Sequence, residues 1–164
     1  MTVKGQSEDE SGLMMFFVLC TIFATLGGTA LSEAVVFLVP TVRSAYLIIP
    51  AVSFVQFAFS GLFLKPSLLP DWMAPWAPSI SIIRWTLQAE FINQFQGSQI
   101  IPFGLSLPNY SAFGAFLSLF GWGGKTKWFC FEMILVNVAI YKIATLFSIG
   151  VSSAISRGGR QFNR

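Results

Sequence analysis

Long apolar runs alternate with short polar segments along the chain, and three of these runs are long enough to cross a bilayer. A membrane-spanning helix needs about 20 consecutive, predominantly apolar residues. The runs predict such helices over about 13–36, 44–64 and 128–150. We therefore predict an all-α membrane protein whose membrane domain occupies residues 13–150.

The segment between the second and third spans, residues 65–127, is rich in Pro, Gly and Trp. Its first part, PSLLPDWMAPW, combines prolines with tryptophans, which favour the membrane–water interface. A short helix follows that Ser79 or Ser81 can cap, and it carries Arg84 and Glu90 among Ile, Trp and Phe. Such a helix is too short and too polar to span, but it suits a position buried against protein. We predict a re-entrant or interfacial helical hairpin within this external segment, between the second and third spans.

The two ends of the chain are polar and carry opposite charge. The lead-in, residues 1–12, is acidic, whereas the tail, residues 151–164, is basic and contains Arg157, Arg160 and Arg164. Cytoplasmic segments of membrane proteins are enriched in Lys and Arg, so we expect the tail on the cytoplasmic side. Three spans then place the lead-in on the opposite side.

The composition supports a membrane protein and argues against several other classes. Hydrophobic residues make up 54% of the chain and charged residues only 10%, whereas soluble domains carry about 25% charged residues. The net charge of +3 is small and spread along the chain, which argues against nucleic acid as a partner. We predict an integral membrane protein of the plasma membrane or of an organelle.

Side chains that usually carry catalysis or hold metals are scarce. The chain has no His, the usual general base and the commonest neutral metal ligand. Cys20 and Cys130 lie inside apolar runs without a second ligand at metal spacing, as small buried hydrophobes do. Glu132 and Lys142 lie ten residues apart in the third span, which favours helix anchoring over a proton relay. We expect no enzyme activity, no metal and no cofactor in this chain.

An ordered set of short motifs resembles the G subfamily of ABC transporters, the group of white-type pigment, sterol and multidrug half-transporters. In chain order the motifs are FSGLF (59–63), LPDW (69–72), SIIRW (81–85) and INQF (92–95). The resemblance covers about residues 13–150, and it implies that the three spans are the fourth, fifth and sixth helices of an ABC-2 type membrane domain. The hairpin would then close the non-cytoplasmic side of that domain, with architectural roles for Arg84, Glu90 and Asn93.

The chain also departs from the pattern of this family. Ile82 stands where the family usually has Pro, and Gln94 where it usually has Glu. The first three spans, the coupling helix and the nucleotide-binding domain have no counterpart in the sequence. The stretch GWGGKTK (121–127) is not a phosphate-binding loop, because Leu119 occupies the position of the opening Gly. We expect ATP to act only through a partner chain.

The first functional hypothesis is a transport module for hydrophobic or lipid-like substrates. By position, the resemblance implies that Phe54 and Phe57 line a central cavity and that Leu62 and Phe63 form its plug. Aromatic walls suit flat or lipid-like molecules. The implied partners are membrane lipids, membrane subunits that supply the missing helices, an ABC ATPase chain and a second copy.

The alternative hypothesis is a non-catalytic structural subunit, derived from such a domain, within a larger respiratory or photosynthetic membrane complex. Its aromatic side chains would then pack against lipids, pigments or neighbouring helices. Stoichiometry separates the two hypotheses. A transport module comes as a two-fold pair with an ATPase chain, whereas a scaffold occurs once in each complex.

Overall fold

The structure is a computed structural model that describes residues 4–95 and 110–161. Its elements are α1 (Lys4–Leu38), α2 (Val42–Ala58), a short 3₁₀ helix (Pro66–Leu68), α3 (Ile82–Phe95), α4 (Tyr110–Leu119) and α5 (Lys127–Gln161). All regular structure in the described ranges is helical, which confirms the predicted all-α class. The middle of the predicted hairpin (96–109), the start of the lead-in (1–3) and the end of the tail (162–164) lie outside the described residues.

Two helices of the described part are long and apolar enough to cross a membrane. They cover Glu10–Leu38 and Lys127–Ala154, with mean hydropathies of 2.0 and 1.9. The second apolar run gives the shorter helix α2, of 17 residues, although the run itself continues to Leu64. The helix ends earlier because Gly61 has a φ of 95°, a left-handed conformation that breaks a right-handed helix.

Helices α1 and α5 pack side by side and run in the same direction. Near their N-terminal ends the rings of Phe16 and Phe131 lie 5.9 Å apart. Further along, the Thr145 hydroxyl donates a hydrogen bond of 2.8 Å to the carbonyl of Ala30. In both contacts the α5 residue follows its α1 partner by the same number of positions along the chain. This is expected when two helices run in the same direction, because both rise by the same amount per residue.

Helix α3 runs antiparallel to α1, alongside the part of α1 between Leu13 and Gly27. The start of α3 contacts Gly27 through Ile82, whereas Asn93 near its end donates a hydrogen bond of 2.8 Å to the carbonyl of Leu13. Helix α2 begins after a short turn, where the Thr41 hydroxyl accepts a hydrogen bond from the amide of Ser44. It returns along the second half of α1, so α2 and α3 follow one another along the α1–α5 pair.

The core lies among α1, α3 and α5, and α2 contributes little to it. Its buried hydrophobic residues include Phe16, Cys20, Ala30, Ile82, Trp85, Ala89, Ile92, Trp122, Cys130, Ile134 and Tyr141. In α2 only Ala45 and Gln56 are buried. The rest of α2 is therefore free to contact lipid or protein outside the described part of the chain.

We expect Gly27→Ala to lower the free energy of unfolding by about 1–3 kcal/mol, the usual cost of overpacking a core. A Cβ at this position would overlap Cδ1 of Ile82 and lie 3.3 Å from Cγ2 of Val138. The matched control is Gly150→Ala, where no atom lies within 4 Å of the added Cβ. It should be neutral or stabilising, and thermal unfolding in detergent measures both. Equal midpoints for the two variants would contradict the close packing at Gly27.

Candidate functional site

The end of α2 meets the start of α3 at a buried set of polar groups, which we call the Gln56 junction (Gln56, Ile80, Ser81, Ile82 and Tyr141). The side-chain amide of Gln56 donates a hydrogen bond of 2.7 Å to the Tyr141 hydroxyl. Its side-chain oxygen accepts one of 3.2 Å from the amide of Ile82. The Tyr141 hydroxyl donates in turn to the carbonyl of Ile80. One side chain therefore connects three parts of the fold.

Ser81 completes the junction and caps α3. Its hydroxyl accepts a hydrogen bond of 3.2 Å from the amide of Arg84 and donates one of 2.7 Å to the carbonyl of Gln56. Helix ends leave backbone amides and carbonyls without partners inside the helix. Ser81 and Gln56 supply partners for both ends at once, so these helix ends can be buried together. The sequence had offered Ser79 or Ser81 as the cap, and the structure uses Ser81.

Arg84 and Gln88 point from α3 toward the segment that precedes α5. One guanidinium nitrogen of Arg84 donates to the carbonyl of Gly121 at 2.8 Å, and the amide of Gln88 donates to the carbonyl of Trp122 at 2.7 Å. The indole of Trp122 then donates to the carbonyl of Ser60 at 2.8 Å. These contacts hold residues 120–122 between the end of α2 and the face of α3.

The other two residues proposed for the architecture of α3 contact α1. Asn93 is buried; its amide donates to the carbonyl of Leu13, and its oxygen accepts a hydrogen bond of 3.2 Å from the ammonium group of Lys127. The Glu90 carboxylate accepts one of 3.4 Å from the hydroxyl of Thr21. Arg84 thus contacts the segment before α5, whereas Glu90 and Asn93 contact α1 at different residues, and the three side chains have no hydrogen-bond partner in common.

The residues proposed for a cavity and its plug lie on and after α2, and all four side chains are exposed. The exposed fractions are 70% for Phe54, 37% for Phe57, 40% for Leu62 and 66% for Phe63. The rings of Phe57 and Phe63 lie 5.0 Å apart, so the chain after the turn folds back onto α2. These four side chains form an exposed apolar surface near the end of α2.

Glu33 and Lys142 form an ion pair between α1 and α5, with 3.0 Å between the carboxylate oxygen and the ammonium nitrogen. Each side chain is about half exposed, at 47% and 48%. Glu33 of this pair also lines an open groove between α1 and α2 with a volume of about 720 Å³. The groove is lined by Thr25, Gly28, Thr29, Ser32, Glu33, Val36 and Phe37 of α1 and by Ser53 of α2.

The described residues form neither a cluster of metal ligands nor a disulfide. Within the described ranges, no three residues of the types His, Cys, Asp and Glu lie close enough to share a metal ion. Cys20 and Cys130 are both buried in the core and are free thiols. Glu132 is exposed on α5.

Sequence reasoning missed two pairings. It assigned no role to Gln56 or to its partner Tyr141, and it considered Lys142 without Glu33. A polar residue inside a span is itself a signal, because it must find a partner there. The spacing of Asn137 and Tyr141, four residues apart, also places two polar groups on one face of α5. Neither signal identifies the partner, which lies far away in sequence.

Comparison with known proteins gives two matches. A protein-family profile described as ABC-2 type transporter matches residues 3–95, more than half of the 164 residues and up to the end of α3. ABC transporter G family member 1 from Dictyostelium discoideum is 31% identical over 80 residues. The aligned stretch covers 49% of this chain and 10% of that protein, so the chain spans only about a tenth of the length of this relative.

We expect Gln56→Leu to lower the free energy of unfolding by about 1–3 kcal/mol, because it leaves the buried amide of Ile82 without its partner and removes the hydrogen bond that the Tyr141 hydroxyl accepts. The matched control is Gln94→Leu, which makes the same change at an exposed position of α3 and should change stability little. Thermal unfolding in detergent compares the two variants. Equal destabilisation would contradict the role assigned to the Gln56 junction.

Removing one charge of the Glu33–Lys142 pair should destabilise the protein in a lipid bilayer more than removing both. Glu33→Gln leaves the Lys142 ammonium group unpaired, at a cost of at most about 3 kcal/mol because both groups are half exposed. The double variant Glu33→Gln with Lys142→Gln keeps a neutral hydrogen-bonding pair. Unfolding in lipid nanodiscs measures the difference. A single variant as stable as the double variant would contradict the cost assigned to the unpaired ammonium group.

Proposed function

The chain belongs to the ABC-2 type transporter family and matches its G subfamily, and from this premise we propose that it is a membrane component of an exporter for hydrophobic or lipid-like substrates. ATP binding and hydrolysis would take place in an ABC ATPase domain outside this sequence. The assembly would contain a second copy, the remaining membrane helices and surrounding lipid. The apolar surface formed by Phe54, Phe57, Leu62 and Phe63 is the observation that carries the proposal.

We further propose that α1, α2 and α5 are the fourth, fifth and sixth helices of the membrane domain. On this assignment, α3 and α4 form the re-entrant hairpin. The support is that α2 and α3 together follow the length of α1, although neither does so alone. The path formed by α2 and then α3 runs antiparallel to α1 and contains the buried Gln56 junction. Such a junction is expected where one helix stops inside the membrane and another re-enters it.

The apolar surface at the end of α2 has the properties of a substrate path. Phe54, Phe57 and Phe63 expose aromatic rings, and α2, which carries the first two, buries only Ala45 and Gln56. Exposed rings offer large contact areas to a flat or lipid-like molecule without charge selectivity. The contact between Phe57 and Phe63 supports this proposal, because the proposed plug residue lies directly against the proposed cavity-lining residue. A substrate that passes this point must separate the two rings.

The first experiment is to purify the native assembly in mild detergent and identify all co-migrating chains by mass spectrometry. An ABC ATPase chain together with two copies of this chain supports the proposal. A single copy within a respiratory or photosynthetic complex, without an ATPase, overturns it in favour of a structural subunit.

In the reconstituted assembly, we expect Phe57→Ala to reduce ATP-dependent export of a hydrophobic fluorescent substrate by about tenfold, because one apolar contact to the substrate is lost. Phe54→Ala should act in the same direction. Its matched control is Phe147→Ala on α5, because Phe147 is also 70% exposed. Export that falls equally in the control, or in none of the variants, would contradict a substrate path at α2.

A further inference from the structure

We propose that Trp122 is a positioning residue for the proposed plug, because it connects the end of α4 to the turn that carries Leu62 and Phe63 and holds that turn closed. We call residues 60–63 the plug turn. The inference rests on the proposed function, since it assigns a residue that controls the same apolar surface. Trp122 itself is fully buried and acts through the plug turn rather than by touching substrate.

Two hydrogen bonds meet at Ser60, the first residue of the plug turn. The indole of Trp122 donates to the carbonyl of Ser60 at 2.8 Å, and the hydroxyl of Ser60 accepts a hydrogen bond of 3.3 Å from the amide of Leu62. Ser60 is fully buried, so water cannot replace a bond that is lost there. The backbone of a plug residue is therefore held by Trp122 through one intermediate residue.

The plug turn also lies in close contact with the backbone before Trp122. A Cβ added at Gly61 would overlap the carbonyl oxygen of Phe120 and lie 2.7 Å from the indole nitrogen of Trp122. A larger residue at this position would push the turn away from residues 120–122. Gly61 thus permits the approach that brings the indole within hydrogen-bonding distance of Ser60.

Trp122 is itself fixed to α4 and α3. Its amide donates a hydrogen bond of 2.9 Å to the carbonyl of Leu117 in the last turn of α4, and its carbonyl accepts one from Gln88 of α3. Its ring packs against Phe91 and Phe120, with ring centres 5.5 and 5.0 Å away. A packed and hydrogen-bonded path therefore runs from α4 through Trp122 to the plug turn, and a displacement of α4 reaches the plug along it.

The plug turn is folded back onto α2 by contacts that one lost bond can tip. Beyond the rings of Phe57 and Phe63, the amide of Leu64 donates a hydrogen bond of 3.3 Å to the carbonyl of Ala58. One hydrogen bond changes an equilibrium constant by about two- to tenfold. Without the indole donor of Trp122, the fraction of plug turns that have moved away from α2 should rise by that factor.

The first test measures the mobility of the plug turn with a nitroxide spin label in the native assembly. The label is attached through Leu64→Cys, at an exposed position beside the turn, and the native cysteines of the chain are buried. Trp122→Phe removes the indole donor and keeps an aromatic ring, so it should raise the mobile fraction of the label by about two- to tenfold. The matched control is Trp85→Phe, which removes a buried indole that donates to the carbonyl of Ser79 at 2.9 Å. It should leave the label unchanged.

Two results of this test overturn the inference. One is a label in Trp122→Phe that is no more mobile than in the wild-type protein. The other is an equal rise in Trp85→Phe, which would indicate that Trp122 only stabilises the core. Ser60→Ala removes the hydroxyl that binds the amide of Leu62, and it decides the question if Trp122→Phe does not fold. It should also raise the mobility of the label, and wild-type mobility in this variant overturns the inference.

A second measurement is the amount of ATP hydrolysed for each substrate molecule exported by the reconstituted assembly. Trp122→Phe should raise this ratio by about two- to tenfold, because substrate returns past a plug that stays open. Trp85→Phe should keep the wild-type ratio, and an unchanged ratio in Trp122→Phe overturns the inference. The spin-label measurement needs no ATPase, so a failure of the proposed function and a failure of this inference are observed separately.

Discussion

The fold depends on satisfying the two helix ends that meet between α2 and α3. Backbone groups in hydrocarbon have no water to bond, so a helix can stop inside a membrane only where other groups replace its missing partners. The side chains of Gln56, Ser81 and Tyr141 do this at the Gln56 junction. Once the junction is closed, α3 can lie against α1 and α5 with its apolar face in the core.

The remaining polar contacts of α3 extend the same principle along its length. Arg84 and Gln88 satisfy carbonyls of Gly121 and Trp122, and Asn93 satisfies the carbonyl of Leu13. Each of these three side chains therefore holds a neighbouring segment against α3. Because α3 packs in the core, α2 is left at the edge of the core with its aromatic residues accessible. The same packing that secures α3 thus leaves the surface that we assign to substrate.

The sequence predicts the local features of this structure better than its long-range pairings. The apolar runs predict α1 and α5 because hydrophobicity and length alone define such helices, and Ser81 is recognisable as a cap because capping acts over a few residues. Hydropathy misses the end of α2, since the run remains apolar past Gly61. The pairs Gln56–Tyr141 and Glu33–Lys142 are unreadable because helix packing, not spacing, brings them together. The family motifs predict the order of the elements, whereas the contacts of Arg84 and Asn93 need the structure.

The separation of the Gln56 junction in sequence has a consequence for how the protein is made. Gln56 and Tyr141 are 85 residues apart, and at about 5–20 residues per second the ribosome needs roughly 4–17 s to cover this interval. During that time α2 has already left the ribosome, but α5 has not. The side-chain amide of Gln56 therefore lacks its partner Tyr141, and the polar side chains of α3 are not yet covered by α5. The nascent chain must therefore keep these groups in a sheltered, partly hydrated environment until α5 has been made. Release of α2 and α3 into lipid then follows the synthesis of α5 rather than proceeding helix by helix.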